Sequence, residues 1–371
     1  MRYCKKCIMP DTRPYITFDD DGICLPCKRY ENRINIDWDA RWRELEELAN
    51  KHRGRNGNYY DCIITVSSGK DSHYQVHLFK EKLGMNPLCI SIDNFSWTNT
   101  GRLNYANLGD RFGVDIHVLT LNRKVARKMF LKAFERELVP CWYWDRAVYA
   151  YALQMAIKLE IPLVIWGENT AYERGGPINE DTPDALVQLK NDFVKPIPIE
   201  EWLDDEITLK DLNPILYPSM EEIEKAGVEA RFCSYYVPWS DYGNYLWASK
   251  NGWKSLKDTG EWEREGLPGL HYLQVDTVGY LVHTWFKFIK FGHWALTDYL
   301  SLDIREGRIK REEAVKIANE NEYKLDPKML DDFISFLGIT KEYFWQTVDK
   351  FANKHYVEKR DGIWRLKEPI Y

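Results

Sequence analysis

The chain has 371 residues, 44% of them hydrophobic and 29% charged, with a formal net charge of −6. These values fit two or three folded domains and exclude a disordered or low-complexity chain; the acidic balance gives no overall footprint for nucleic acid. No apolar run approaches the ~18 residues of a membrane span, and the opening MRYCKKCIMP lacks the apolar stretch of a signal peptide, so a cytoplasmic protein that binds neither membrane nor nucleic acid is expected.

Cys4-x-x-Cys7 and Cys24-x-x-Cys27 are separated by sixteen residues that include Pro10, Pro14 and the turn Asp19-Asp20-Asp21-Gly22. Two such knuckles closing on one tetrahedral ion make a structural zinc site, since four thiolates leave no open position for catalysis. Two disulfides or an iron–sulfur cluster are the alternatives. Lys5, Lys6 and Lys28 stand beside the thiolates in sequence and are expected to offset their charge. Cys62, Cys89, Cys141 and Cys233 are scattered singly and read as buried thiols. The ribbon is placed at 1–34. An amphipathic helix over 37–52 and a polar, glycine-bearing linker follow it within 35–57.

Residues 61–84 predict strand, loop and helix. Positions 62–66 are short and β-branched, whereas Val76, Phe79 and Leu83 recur at helical spacing up to Gly84. Between them, Ser67-Ser68-Gly69-Lys70-Asp71-Ser72 sets small and hydroxyl residues at a helix N-terminus. Unpaired N–H groups and the positive end of the dipole favour a phosphate there. Lys70 adds a positive charge, and Ser67 and Ser72 add hydroxyl donors. Neither a Walker loop nor GxGxxG fits the stretch.

Further strands are predicted at 87–92, 114–121 and 162–166, with a basic helix through residue 138 and another over 145–160. This alternation implies an α/β domain over 58–215, a doubly wound and mostly parallel sheet with helices on both faces. Ligands of such sheets bind outside the carboxyl ends of the strands, which makes Asp93, Asn94, Gly167 and Glu168 candidates for contact. Asp93 reads equally well as a turn residue. Glu168 suits holding magnesium or orienting a substrate, with a plain loop carboxylate as its alternative.

Residues 171–215, rich in glycine and proline, are expected to form an ordered loop over the active site. Ser219 and Glu222 make a capping box closed by Gly227. From 235 to 294 aromatics accumulate, Trp239 and Trp247 among them. Their faces suit sugar C–H surfaces or, at least as well, an aromatic core together with a subunit interface. Helices at 311–321, 327–337 and 341–351 complete a mainly helical region assigned to 216–371.

Ser67, Gly69, Lys70, Asp71 and Ser72 match, position by position, the S-G-G-x-D-S loop of the PP-loop ATP pyrophosphatase superfamily, whose fold is of adenine nucleotide alpha hydrolase-like type. Ser68 stands where glycine is usual, at a cost of roughly 1 kcal/mol if the position needs φ > 0. Together with the paired C-x-x-C units, Gly167-Glu168-Asn169, Phe291-Gly292 and IREGRIKREEA at 304–314, the chain resembles the N-acetyl sugar amidotransferase family of surface-polysaccharide and nonulosonic acid biosynthesis. The resemblance implies ATP-dependent conversion of an acetamido group, on a free or nucleotide-linked sugar, to an acetamidino group. ATP is expected on Ser67, Ser68, Gly69, Lys70, Asp71, Ser72, Asp93, Asn94 and Gly167. Lys70, Asp71 and Glu168 are the expected catalytic residues, the two carboxylates holding Mg2+. Asn169, Trp239 and Trp247 are the expected sugar contacts, and zinc is expected on Cys4, Cys7, Cys24 and Cys27. The resemblance also implies separate glutaminase and cyclase-like proteins that supply ammonia. A PP-loop tRNA-modifying, thiolase-like enzyme is the alternative; it needs a polyanion surface and catalytic cysteines near the loop.

Overall fold

At the centre of the computed structural model, which describes residues 1–55, 57, 59–93, 95–177, 180–187, 189 and 197–371, lies a five-stranded parallel sheet. Its strands are β1 (Cys62–Thr65), β2 (Pro87–Ile92), β3 (Asp115–Leu119), β4 (Leu163–Trp166) and β5 (Glu229–Phe232), in the order β3-β2-β1-β4-β5. β1, β2 and β4 are near-continuous apolar runs because helices cover both faces of the sheet. The chain first winds from β1 to one side and then returns to build the other. The direction therefore switches between β1 and β4, and the crevice expected at such a switch opens where Ser67 and Gly167 begin.

Three strands were not expected. β5, Glu-Ala-Arg-Phe, alternates half-buried and buried residues and pairs with β4 from Leu163↔Glu229 onward. It carries the sheet past residue 215, where the sequence had placed the end of the α/β domain. A C-terminal hairpin joins β6 (Val357–Arg360) to β7 (Ile363–Leu366). Asp361 and Gly362 turn it with φ of 51° and 76°, as an Asp-Gly hairpin turn requires. The helix after the loop runs as an α-helix over Lys70–Val76 and then widens to a π-helical turn over His77–Lys82. The helix predicted at 145–160 spans Trp142–Lys158.

The aromatics of the C-terminal region are mostly core. Trp253, Trp285 and Trp294 are buried, and Phe134 and Phe344 stack at 5.6 Å while also packing on Phe286 and Phe333. Phe134 belongs to helix Arg123–Glu137 and the others to helices Tyr280–Phe291, Pro327–Leu337 and Lys341–Phe351. Helix Arg123–Glu137 and the start of helix Trp142–Lys158 thus share an apolar core with the helical half, while the two faces of the sheet are covered by cores of their own. No helix among the described residues is long and apolar enough to cross a membrane.

Glu322 sits inside this helical half, only 1% exposed, with its Oε1 accepting the Trp294 N–H. Burial pushes its pKa from 4.5 up to about 8. The folded chain therefore keeps a proton that the unfolded chain releases, and the stability this contributes is full below pH 4.5 and lost as pH rises toward about 8. The slope for one such group is about 1.4 kcal/mol per pH unit. Glu322→Gln, which copies the neutral form, should flatten that slope in urea unfolding, matching the wild type near pH 4.5 and exceeding it at pH 8. Equal slopes in both proteins would contradict the assignment.

Candidate active site

The loop after β1 is shaped by its own hydroxyls. Ser67 N–H donates to Ser72 Oγ at 2.8 Å, and Gly69 N–H to Ser67 Oγ at 3.0 Å. Gly69 is the extended N-cap, so Lys70, Asp71 and Ser72 form the first turn, whose N–H groups have no intrahelical acceptor. Ser68 does not adopt a positive φ, unlike Tyr15, Leu138, Glu160, Gln274 and Asp361. The strain anticipated for a serine at this position does not arise. Its carbonyl instead accepts Trp253 Nε1–H at 2.9 Å, which fastens the loop to the C-terminal half.

A cavity of about 250 Å³ opens at the carboxyl edge of the sheet. Ser67, Asp71 and Ser72 of the loop, and Gly167 and Glu168 after β4, all line it. Gln274 and Asp276 close it from the C-terminal half. Ser68, Gly69 and Lys70 are not among the residues that line it. The carboxylate of Asp93 is occupied elsewhere, accepting Trp97 Nε1–H at 2.8 Å and Thr120 Oγ–H at 3.0 Å, which is the turn-residue geometry. Asn94 lies outside the described residues, as does part of the loop expected over the site, at 178–179, 188 and 190–196.

The three expected sugar contacts are not gathered in this cavity. Asn169 caps the short helix Thr170–Arg174 by accepting Tyr172 N–H at 3.1 Å. With Trp239 it lines a second cavity, between that helix and residues 26–41. The Trp247 ring packs against His77 and Phe112, with centroids 4.3 and 6.3 Å away.

Lys70 and Asp71 belong to a buried charge cluster whose other members, Asp241, Arg174 and Asn244, sequence reasoning missed. Lys70 Nζ donates to Asp71 Oδ2 at 2.5 Å and to Asp241 Oδ1 at 3.0 Å. Asp241 Oδ2 accepts from Arg174 Nη2 at 2.7 Å, Asn244 Nδ2 donates to Asp71 Oδ1 at 2.8 Å, and the Arg174 guanidinium lies over the Tyr299 ring at 4.7 Å. Burial works against the charge on Lys70, but Asp71 and Asp241 hold its pKa well above the ordinary value. Burial likewise opposes ionisation of Asp241, which Lys70 and Arg174 overcome, drawing its pKa down to about 2. Glu168 goes the other way: burial, then repulsion by Asp71 and Asp241, raises its pKa. Arg174 and Lys70 offset this only in part. The available signal was Asp241 and Asn244 at i, i+3 in the first turn of helix Asp241–Lys250, on one face.

The four cysteines of the ribbon converge as expected. Their Sγ atoms all lie within 4.8 Å of one another, with Cys4–Cys27 at 4.0 Å and Cys7–Cys24 at 3.7 Å, and all four are buried. A tetrahedral ion with metal–sulfur bonds of ~2.3 Å gives sulfur–sulfur edges of about 3.8 Å, so the donor set fits one metal ion; disulfides need ~2.05 Å. The charge partner differs from expectation. Lys6 pairs with Glu31 and Lys28 with Asp19, whereas buried Arg305 donates Nε–H to Cys27 Sγ at 3.3 Å. Arg311 Nε–H reaches the Cys7 carbonyl at 3.0 Å. The segment at 304–314 is thus the seat of the ribbon. From the ribbon side, Arg13 Nε–H donates to the Gly175 carbonyl at 3.1 Å and Arg29 Nη1–H to that of Tyr172 at 2.7 Å, bracing helix Thr170–Arg174.

A parallel sheet of this order, with a serine- and glycine-bearing loop after its central strand, is the arrangement that the expected PP-loop, adenine nucleotide alpha hydrolase-like fold requires. Residues 261–370 match the family model of the "LPS biosynthesis protein WbpG-like, C-terminal domain". The match supports the resemblance to the sugar amidotransferases of surface-polysaccharide biosynthesis. "Uncharacterized protein MJ1599" of Methanocaldococcus jannaschii is 26% identical over 170 residues, which is 46% of this chain and 60% of that protein. The chain therefore spans less than two thirds of that curated relative's length. Among solved structures, NMN synthetase from Francisella tularensis aligns over 82% of this chain and 94% of its own, at 12% identity and a TM-score of 0.32. A "predicted subunit of tRNA methyltransferase" from M. jannaschii aligns over 51% and 75%, at 18% identity and a TM-score of 0.28. Scores of this size carry no functional argument.

Proposed function

We propose that the protein is an ATP-dependent amidotransferase that converts a sugar acetamido group to an acetamidino group. The observation that carries this reading is one cavity. There the phosphate loop, through Ser67, Asp71 and Ser72, faces Glu168 on one side and residues Gln274 and Asp276 of the segment that matches the WbpG-like domain on the other. An amide carbonyl is a poor electrophile. Its oxygen would attack the α-phosphorus of ATP, breaking the bond to the β-phosphate and releasing pyrophosphate. Ammonia would then add to the imidate carbon, the carbon–oxygen bond would break, and AMP would depart with that oxygen.

The first-turn N–H groups and Lys70 would stabilise charge on the departing pyrophosphate. Asp71 and Glu168 would hold Mg2+, which takes one or two carboxylates together with phosphate oxygens; the undercompensated Glu168 suits such a cation. When bound, the ion would neutralise charge on the phosphates. Zinc on the four ribbon cysteines would be structural. Asn169 and Trp239 remain proposed sugar contacts at the neighbouring cavity.

Cys62, Cys89, Cys141 and Cys233 are all buried, and burial raises the pKa of each. That weighs against both a glutaminase nucleophile and thiolase-type cysteine chemistry within the described residues. Ammonia would come from separate glutaminase and cyclase-like proteins. Purified protein given ATP, ammonium and a panel of N-acetylated sugars should form AMP only when a sugar is present. AMP formation that depends on bulk tRNA instead would overturn the reading.

A further inference from the structure

We infer that Asp241 is a positioning residue of the phosphate loop, its carboxylate fixing the Lys70 ammonium against the fixed counter-cation Arg174. The inference rests on the proposed ATP chemistry and adds a residue that no motif of the chain contains.

Two helices meet at their N-terminal ends here. Lys70 opens the helix Lys70–Val76, and Asp241 opens the helix Asp241–Lys250. Each Asp241 oxygen has one cation, Lys70 Nζ at 3.0 Å and Arg174 Nη2 at 2.7 Å, and the residue is 8% exposed. Arg174 is not free to follow Lys70, because its guanidinium lies over Tyr299 and its short helix is held by Arg13 and Arg29 from the ribbon. The carboxylate is therefore a fixed anchor. Asp71 is anchored separately by Asn244, one turn further along the Asp241 helix.

The consequence concerns how charge is shared. With Asp241 present, the ammonium of Lys70 is divided between two carboxylates, and only one of them, Asp71, lines the cavity. Without it, Lys70 has Asp71 alone. The ammonium would then collapse onto the carboxylate that faces the phosphates, and both groups would lose the geometry in which each acts on the nucleotide. A transition-state interaction is degraded while the cavity surface that binds ATP stays in place, so the loss should fall on kcat rather than KM.

The test is a double-mutant cycle on the full chain, read as AMP formation with ATP, ammonium and an accepted N-acetylated sugar. Asp241→Asn should lower kcat by about tenfold to a hundredfold and leave the KM for ATP within about threefold, part of what outright loss of a transition-state donor costs. In a Lys70→Ala background the same change should cause no further loss, because Asp241 acts through Lys70. If Asp241→Asn does not fold, Asp241→Glu keeps the charge, displaces the ammonium, and should show a kcat loss that also vanishes in the Lys70→Ala background. Losses that multiply across the cycle, or an unchanged kcat, overturn the inference while leaving the amidotransferase reading intact. A wild type that forms no AMP with any sugar overturns both.

Discussion

Lys70→Ala should reduce sugar-dependent AMP release by about a hundredfold to a thousandfold, the range seen when one preorganised donor to a transition-state charge is removed. The lysine opens the helix that follows the phosphate loop, 4% exposed, and its ammonium charge is secured by Asp71 and Asp241. Pyrophosphate leaves with more negative charge than it carries within ATP, so a fixed cation beside the loop acts chiefly on the transition state. The same substitution should lower stability by about 3–5 kcal/mol, because it breaks a buried pair and leaves carboxylates behind. Asp241 keeps Arg174 and Asp71 keeps Asn244, which should limit that loss to one cooperative shift in thermal unfolding. Rates measured well below the unfolding transition, at unchanged metal content, separate the two effects. Retained activity in a folded variant would remove Lys70 from the chemistry.

The second large effect should follow metal removal. The purified protein is expected to hold about one zinc per chain, and chelation should lower its thermal unfolding by about 10 °C or more, given the size of zinc-linked folding energies. The reason reaches beyond the ribbon. Arg305, in the helix Ala295–Arg305, is buried with the cysteine sulfurs around its guanidinium. Without the ion the thiols take up protons, and a buried cation is left without counter-charge. Structure should therefore loosen in the C-terminal half as well as in the first 34 residues, which amide exchange would register. An unfolding curve indifferent to chelator would refute the role, and a brown, iron-containing preparation would replace zinc by a cluster.

What the sequence revealed follows from the range of each interaction. Apolar runs such as Cys62–Thr65, Pro87–Ile92 and Leu163–Trp166 announce buried parallel strands locally, and so does the cap-and-glycine grammar of Ser219 and Gly227. β5 hid because Glu229 and Arg231 occupy its half-buried face in a four-residue strand. The charge cluster hid for a different reason. An aspartate in the first turn of a helix is ordinary there, and nothing local joins Asp241 to a lysine 171 residues away. The same holds for the ribbon, whose nearby lysines suggested the charge balance although Arg305 comes from 278 residues further along. Tryptophan marks a core and a sugar platform alike, so the aromatic stretch could be read either way. The structure buries Trp253, Trp285 and Trp294, and it buries Asn169 and Trp239 as well, although these two also border a cavity of their own.

The central claim is that ATP activates the acetamido oxygen itself. The sugar-dependent AMP assay, run with a substrate carrying oxygen-18 in its acetamido carbonyl, tests it most directly by mass spectrometry of the AMP. The account predicts one labelled oxygen on the AMP phosphate and none on the amidine product. Label retained on the sugar, or AMP formed without label, would contradict it.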